Sequence, residues 1–206
     1  MKTMTTHELS SSAERIADIA MRQFADNGYD AASLNDIATE AGIRKASLYA
    51  HFSSKDALYS VVLGLALRAE HTYVEADFTR AKRVSAVPGE RYLVNLHPRF
   101  VEAASLRFLL RAAFYPPATV RPAVTAGFNE YLNTLRAHFL STLEQAYPHS
   151  LSEALALTAE TYMAFIDSLH VDLIYGHQDN YLRRLDAVLR VLNNTYATTM
   201  RPRVDE

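Results

Sequence analysis

Apolar residues recur along this chain at intervals of three and four, the spacing of one helix face. Over Ala13–Asn27 they are Ile16, Ile19, Ala20 and Phe24. Gly28 follows where a helix takes a left-handed C′ residue, with Tyr29 behind it as apolar cover. Ser33 has the hydroxyl to cap a second helix, and Asp36 resembles the acidic half of a capping box. Leu34, Ile37, Ala38 and Ala41 give that helix its buried face, and Gly42 ends it. Ile43 anchors the turn. Leu48 and Phe52 supply the inner side of a third short helix, and Ser53 or Ser54 caps a fourth that begins at Lys55. Two short helices about a Gly turn form a helix-turn-helix pattern, with Ala38 and Ala41 small enough for close approach.

The pattern predicts a long helix over 56–82 and a break at Pro88-Gly89. Short helices over 90–97 and 99–115 are separated at Pro98 and end at Pro116-Pro117. Phe128, Tyr131, Leu135, Phe139 and Leu143 mark a long helix to about Ala146. Leu151–Tyr175 and Asn180–Thr199 complete the set. The fold class is all-α. A three-helix helix-turn-helix unit is expected over 1–55, with 1–12 as a tail, and a larger helical unit over 56–206.

Composition supports this reading. Of 206 residues, 31 are Ala and 25 Leu, the cheapest residues to place in a helix, while 6 Gly and 7 Pro are too few for an all-β chain. There is no Cys, which excludes disulfides and thiolate chemistry. No apolar leader is present, and the longest uncharged stretch, Ala57–Leu67, is too short to span a bilayer, so a cytoplasmic protein without membrane partners is expected.

Net charge is −2, which excludes non-specific coating of nucleic acid by bulk charge. The local distribution is different. Gly42 to Lys55 contains Arg44, Lys45 and Lys55 and no acid. With Ile43, Leu48 and Phe52 inward, the outward residues are Arg44, Lys45, Ser47, Tyr49, Ala50 and His51. Ser47 and Ala50 are small enough for entry to a major groove, and Ser47 can hydrogen-bond a base edge. Tyr49, His51 and Lys55 suit phosphates, which fix register.

The segment ADNGYDAASLNDIATEAGIRKASLYAHFSSKDAL resembles the DNA-binding domain of the TetR/AcrR family of transcriptional regulators. Phe24 and Gly28, Ser33, Asp36-Ile37-Ala38, Ala41-Gly42-Ile43, Leu48-Tyr49, Phe52, Lys55 and Leu58 carry the resemblance. It implies a homodimer on a pseudo-palindromic double-stranded operator, most simply a repressor released by a small-molecule effector. By position it implies a phosphate contact for Ser33, and base or adjacent phosphate contacts for Lys45, Ser47 and Ala50. Tyr49, His51 and Lys55 would hold the backbone. Arg44 departs from the family, which commonly has Ser or Thr there as a cap. Arginine accepts no hydrogen bond, so either the third helix is weakly capped and Arg44 contacts DNA, or the helix start shifts. The alternative function, from another class, is a helical protein–protein interaction module on the same scaffold without DNA binding.

In the second unit Tyr92, Phe100, Phe108, Phe114, Tyr115, Phe128, Tyr131 and Tyr162 are candidates to line a ligand pocket. Arg107, with Arg111 one turn on, is a candidate partner for a ligand carboxylate. Leu182, Leu185, Leu189, Leu192 and Tyr196 form a coiled-coil-like seam, and Tyr181, Val188 and Val191 lie off it. That second apolar face is expected to join two copies in a four-helix bundle. His71 with Glu75, and Asp167 with His170, have helical spacing but no further ligands, so no metal or cofactor is expected. No nucleophile elbow, zinc-helix motif or phosphate-binding Gly loop occurs, so catalysis is not expected.

Overall fold

The computed structural model describes residues 9–81 and 87–199. Among them are nine helices and no strand. They are α1 (Ser11–Ala31), α2 (Leu34–Glu40), α3 (Lys45–His51), α4 (Lys55–Ala81), α5 (Glu90–Glu102), α6 (Ala104–Phe114), α7 (Arg121–Ala146), α8 (Ser152–Tyr175) and α9 (Gln178–Thr199). The protein is all-α.

The cap chemistry sets several boundaries. Helix α1 starts at Ser11, inside the expected tail, because Ser10 Oγ accepts from Ala13 N at 3.3 Å. Residues 1–8 of that tail lie outside the described residues. Within α1, Gly28 takes a φ of 80°, which an L side chain rarely adopts, and bends the chain into a last turn. Ser33 Oγ accepts from Asn35 N and Asp36 N and starts α2. Gly42, at φ 68°, makes the turn to α3.

The long helix α4 leaves the helix-turn-helix and packs on α1, α5, α6 and α7, while α7 carries α8 and α8 carries α9. Helix α1 packs most closely on α6. Phe24, Tyr59 and Phe108 link these elements through ring pairs at 5.0 Å, so one apolar core runs from α1 into the larger unit.

Three expectations are corrected. Helix α5 does not stop at Pro98 but continues to Glu102. Val94, whose carbonyl Pro98 leaves free, and Pro98 itself face solvent. On the opposite side Arg99 grips buried Glu70 through two hydrogen bonds of 2.9 Å, with Ser105 as a third donor. Helix α6 therefore starts at Ala104 rather than residue 99.

The last correction concerns α9. Its buried side is Tyr181, Val188, Leu192 and Tyr196, with Leu185 and Leu189 half-buried and Leu182 exposed. Tyr181 donates to Leu93 O and Tyr196 to Pro88 O, which draws both phenols into the protomer's own core. Tyr181 and Val188 thus belong to that core and not to a self-association face, and of the three candidates only Val191 is exposed.

Candidate nucleic-acid interface

Helix α3 is held from beneath by two residues. Leu48 is fully buried, Phe52 nearly so, and Ile43 packs at the edge of the same core. A seven-residue helix cannot persist alone in water, so burial of these side chains and packing on α2 hold it in place. Its other positions, Lys45, Ala46, Ser47, Tyr49, Ala50 and His51, are all exposed, as is Arg44 before it. Tyr49 keeps 45% of its surface open.

Arg44 is the N-cap residue of α3 and makes no side-chain cap hydrogen bond. The start of the helix has not shifted, and α3 is weakly capped. The guanidinium is left at an exposed helix N-terminus, where free backbone N–H groups add positive potential.

The neighbouring acid is neutralised from behind. Glu40, at the end of α2, accepts from Gln23 Nε2 at 2.9 Å and Arg22 Nη2 at 3.1 Å. Those two bonds hold its carboxyl below the usual carboxylate range. They also tie α2 to α1.

Ser33 and Lys55 sit differently from the α3 residues. Ser33 is half-buried, with its hydroxyl engaged in capping α2. Lys55, the first residue of α4, turns its ammonium toward α1. Nζ lies 4.5 Å above the Tyr29 ring and donates to Asp30 O at 3.3 Å. The Tyr29 hydroxyl donates to the Asp56 carboxylate. Burial and that carboxylate push the Tyr29 phenol up to about 12.

The pocket candidates divide among three places. Tyr92, Tyr131 and Tyr162 are fully buried and bonded inside the core. The Tyr92 and Tyr131 hydroxyls lie 2.5 Å apart, Tyr162 donates to Gly89 O at 2.9 Å, and its ring stacks on Phe139 at 3.7 Å. Burial pushes all three phenols above their ordinary range. Phe128 packs between Tyr131 and His170. These four pack as core, because their rings and hydroxyls are already satisfied by one another and by the backbone.

Phe100 and Arg107 instead line a cleft of about 480 Å³ between α1, α5, α6 and α8. Arg107 does not face a free anion. It donates to Asp26 Oδ1 at 3.3 Å, Val101 O at 2.7 Å and Phe100 O at 3.2 Å. Arg111 donates to Asp26 O at 3.2 Å. The pair clamps α6 to the end of α1.

Phe114 lines a larger, half-open cleft of about 770 Å³ between the end of α1, α4 and the α6–α7 connection. Tyr29, Tyr59, Thr119 and Arg121 line it too, and none of these was singled out from sequence as a pocket residue. The cleft lies between segments some 90 residues apart, such as Tyr29 and Arg121, and no periodicity reports such a meeting.

Asp167 and His170 do not converge, since Asp167 is exposed and His170 is buried. No helix among the described residues is long and apolar enough to cross a membrane.

Comparison with known proteins agrees with this arrangement. The profile of the family described as bacterial regulatory proteins, tetR family, matches residues 16–62, the segment from mid-α1 into α4. The "Biofilm operon icaADBC HTH-type negative transcriptional regulator IcaR" of Staphylococcus aureus strain Newman is 48% identical over 46 residues. That match spans 22% of this chain and only a quarter (25%) of the relative's length. A TetR-family transcriptional regulator structure from Mesorhizobium loti aligns with a TM-score of 0.67 at 18% identity, covering 90% of this chain and 95% of the other. The transcriptional regulator FadR from Bacillus subtilis, solved in complex with stearoyl-CoA, aligns with a TM-score of 0.61 at 18% identity, covering 87% and 96%. At these identities the two structures share the fold. Residues 16–62 thus match the tetR family of bacterial regulatory proteins, and the chain as a whole shares the fold of these regulators.

Proposed function

We propose that the protein is a transcriptional repressor that binds a pseudo-palindromic operator as a homodimer and releases it when a small molecule binds. The acid-free outer face of α3 carries this reading. Arg44, Lys45, Ser47, Tyr49, Ala50 and His51 project together from a helix anchored by Leu48 and Phe52. Such a helix fits a major groove, with Ser47 and Ala50 against base edges and Lys45, Tyr49 and His51 on phosphates. The negative regulator IcaR, similar to this chain over the same elements, supports repression. The FadR complex with stearoyl-CoA supports effector binding on this fold.

The division of labour places DNA reading in residues 1–55 and effector binding and dimerisation in 56–206. Helix α4 joins them, since it starts three residues after Phe52 and runs into the larger unit. A shift of α4 changes the separation of the two recognition helices, which must match successive major grooves about 34 Å apart. The effector must bind the non-DNA state more tightly, or it shifts nothing.

The partner surface we assign is the exposed side of α8 with α9. Leu157, Ala164 and Val171 stand seven apart on α8 and are all exposed, and Leu182 is exposed on α9. This row replaces Tyr181 and Val188 as the apolar face offered to a second copy. A gel-shift titration on the DNA flanking the protein's own gene tests the function. Saturable binding at one site, weakened in Lys45→Ala, is expected, and equal weak binding to every fragment contradicts it.

A further inference from the structure

We propose that the cleft between the end of α1 and the α6–α7 connection is the effector site, and that it takes a small organic carboxylate with an aromatic or alkyl body. The proposal rests on the reading of the chain as a ligand-responsive regulator and adds the place and chemistry of the ligand.

The volume of about 770 Å³ lies in the range of small-molecule sites. The open apolar lining is Tyr29, Phe114, Tyr115, Pro116 and Pro117, laid over the buried rings of Phe24, Tyr59 and Phe108, a surface suited to a flat ring or an alkyl chain. The charge on the lining is unbalanced. Arg111 and Arg121 face one acid, Asp30. Arg121 makes no ion pair among the described residues. Arg111 donates to a main-chain carbonyl, Asp26 O, so its charge is not neutralised there. Its Nη1 lies 3.1 Å from where a Cβ on Gly28 would stand, so the glycine lets the guanidinium approach α1. Two guanidinium groups beside an apolar wall match a carboxylate with an apolar body, through charge-assisted and paired N–H···O bonds. The core aromatics Tyr92, Tyr131 and Tyr162, by contrast, are enclosed by their neighbours and bonded.

The cleft also sits one contact away from the start of α4. Tyr29 and Asp30 line it. The Tyr29 ring carries Lys55 Nζ, its hydroxyl holds Asp56, and Asp30 O accepts from Lys55. Lys55 and Asp56 are the first two residues of α4. A ligand that displaces Tyr29 or draws on Asp30 therefore acts on the start of α4, the helix that joins α3 to the larger unit.

The test uses the full chain, free of DNA, and the intrinsic fluorescence of naphthoate. Naphthamide serves as the uncharged counterpart, and decanoate is measured by displacement of naphthoate. Naphthoate should bind saturably and about tenfold more tightly than naphthamide, as one charge-assisted contact requires. Arg121→Gln, at an exposed helix start, should weaken naphthoate about tenfold and leave naphthamide unchanged. Ala118→Trp, which fills the cleft from its exposed side, should block both. Both variants should keep the wild-type melting temperature. No saturable binding of naphthoate or decanoate, equal affinity for acid and amide, or full affinity in both variants overturns the proposal. Because binding is read without DNA, failure of this site and failure of operator recognition are separate results.

Discussion

Lys45 and Tyr49 stand side by side on the open face of α3, yet they should fail differently when removed. Lys45→Ala removes one released counterion, so affinity drops and the slope of log K against log salt falls by about one unit. Tyr49→Ala removes a neutral contact, so affinity should fall for every sequence with the slope unchanged. Fluorescence anisotropy across a salt series separates the two. His170 makes a different prediction. It is fully buried on α8, beside the Phe128 ring, and neither ring nitrogen has a hydrogen-bond partner among the described residues. Burial pushes its pKa from 6.5 down to about 3. The unfolded chain then takes up a proton near 6.5 that the folded chain refuses, so stability falls as pH drops from 6.5 toward 3. Urea midpoints at about pH 7.5 and about pH 5 should differ, and His170→Leu should narrow that difference.

At the scale of elements, α3 is the least self-sufficient helix, because it is short, uncapped and anchored by few side chains. Arg44→Ser supplies the missing cap and should raise stability by about 1 kcal/mol, read as a higher melting temperature. Leu48→Ala should cost about 2–5 kcal/mol and loosen α3 before the larger unit, which amide exchange on α3 would report. The helix-turn-helix was legible because its signals are local. Ser33, Gly28, Gly42 and the Leu48–Phe52 pair each act within a few residues of their own position. Pro98 misled for the same reason. Its local rule favours a break, but the Arg99–Glu70 bond that holds α5 across that point joins residues 29 apart. In α9 the buried side takes Tyr181 and Val188 from one expected face and Leu192 and Tyr196 from the other, and the carbonyls that accept from Tyr181 and Tyr196, Leu93 O and Pro88 O, are distant in sequence.

For the whole molecule, the expected partner is a second copy joined through α8 and α9. Leu157→Glu with Val171→Glu puts two charges on the exposed α8 row without entering the core. The expected result by light scattering is a dimer for the parent and a folded monomer for the variant, with operator affinity lost along with the dimer. The overall charge of −2 hides the feature that matters here, an acid-free patch on α3. The pocket was the least legible part, because a cleft is made by distant segments meeting and an aromatic residue reads the same in a core as on a wall. DNase footprinting of the purified protein on the DNA flanking its own gene tests the central claim most directly. The expected result is one protected pseudo-palindrome whose half-sites lie on successive major grooves, with protection lost in Lys45→Ala at a protein concentration that saturates the parent. No protected site, or protection unchanged when both Lys45 and Tyr49 are replaced by Ala, would contradict it.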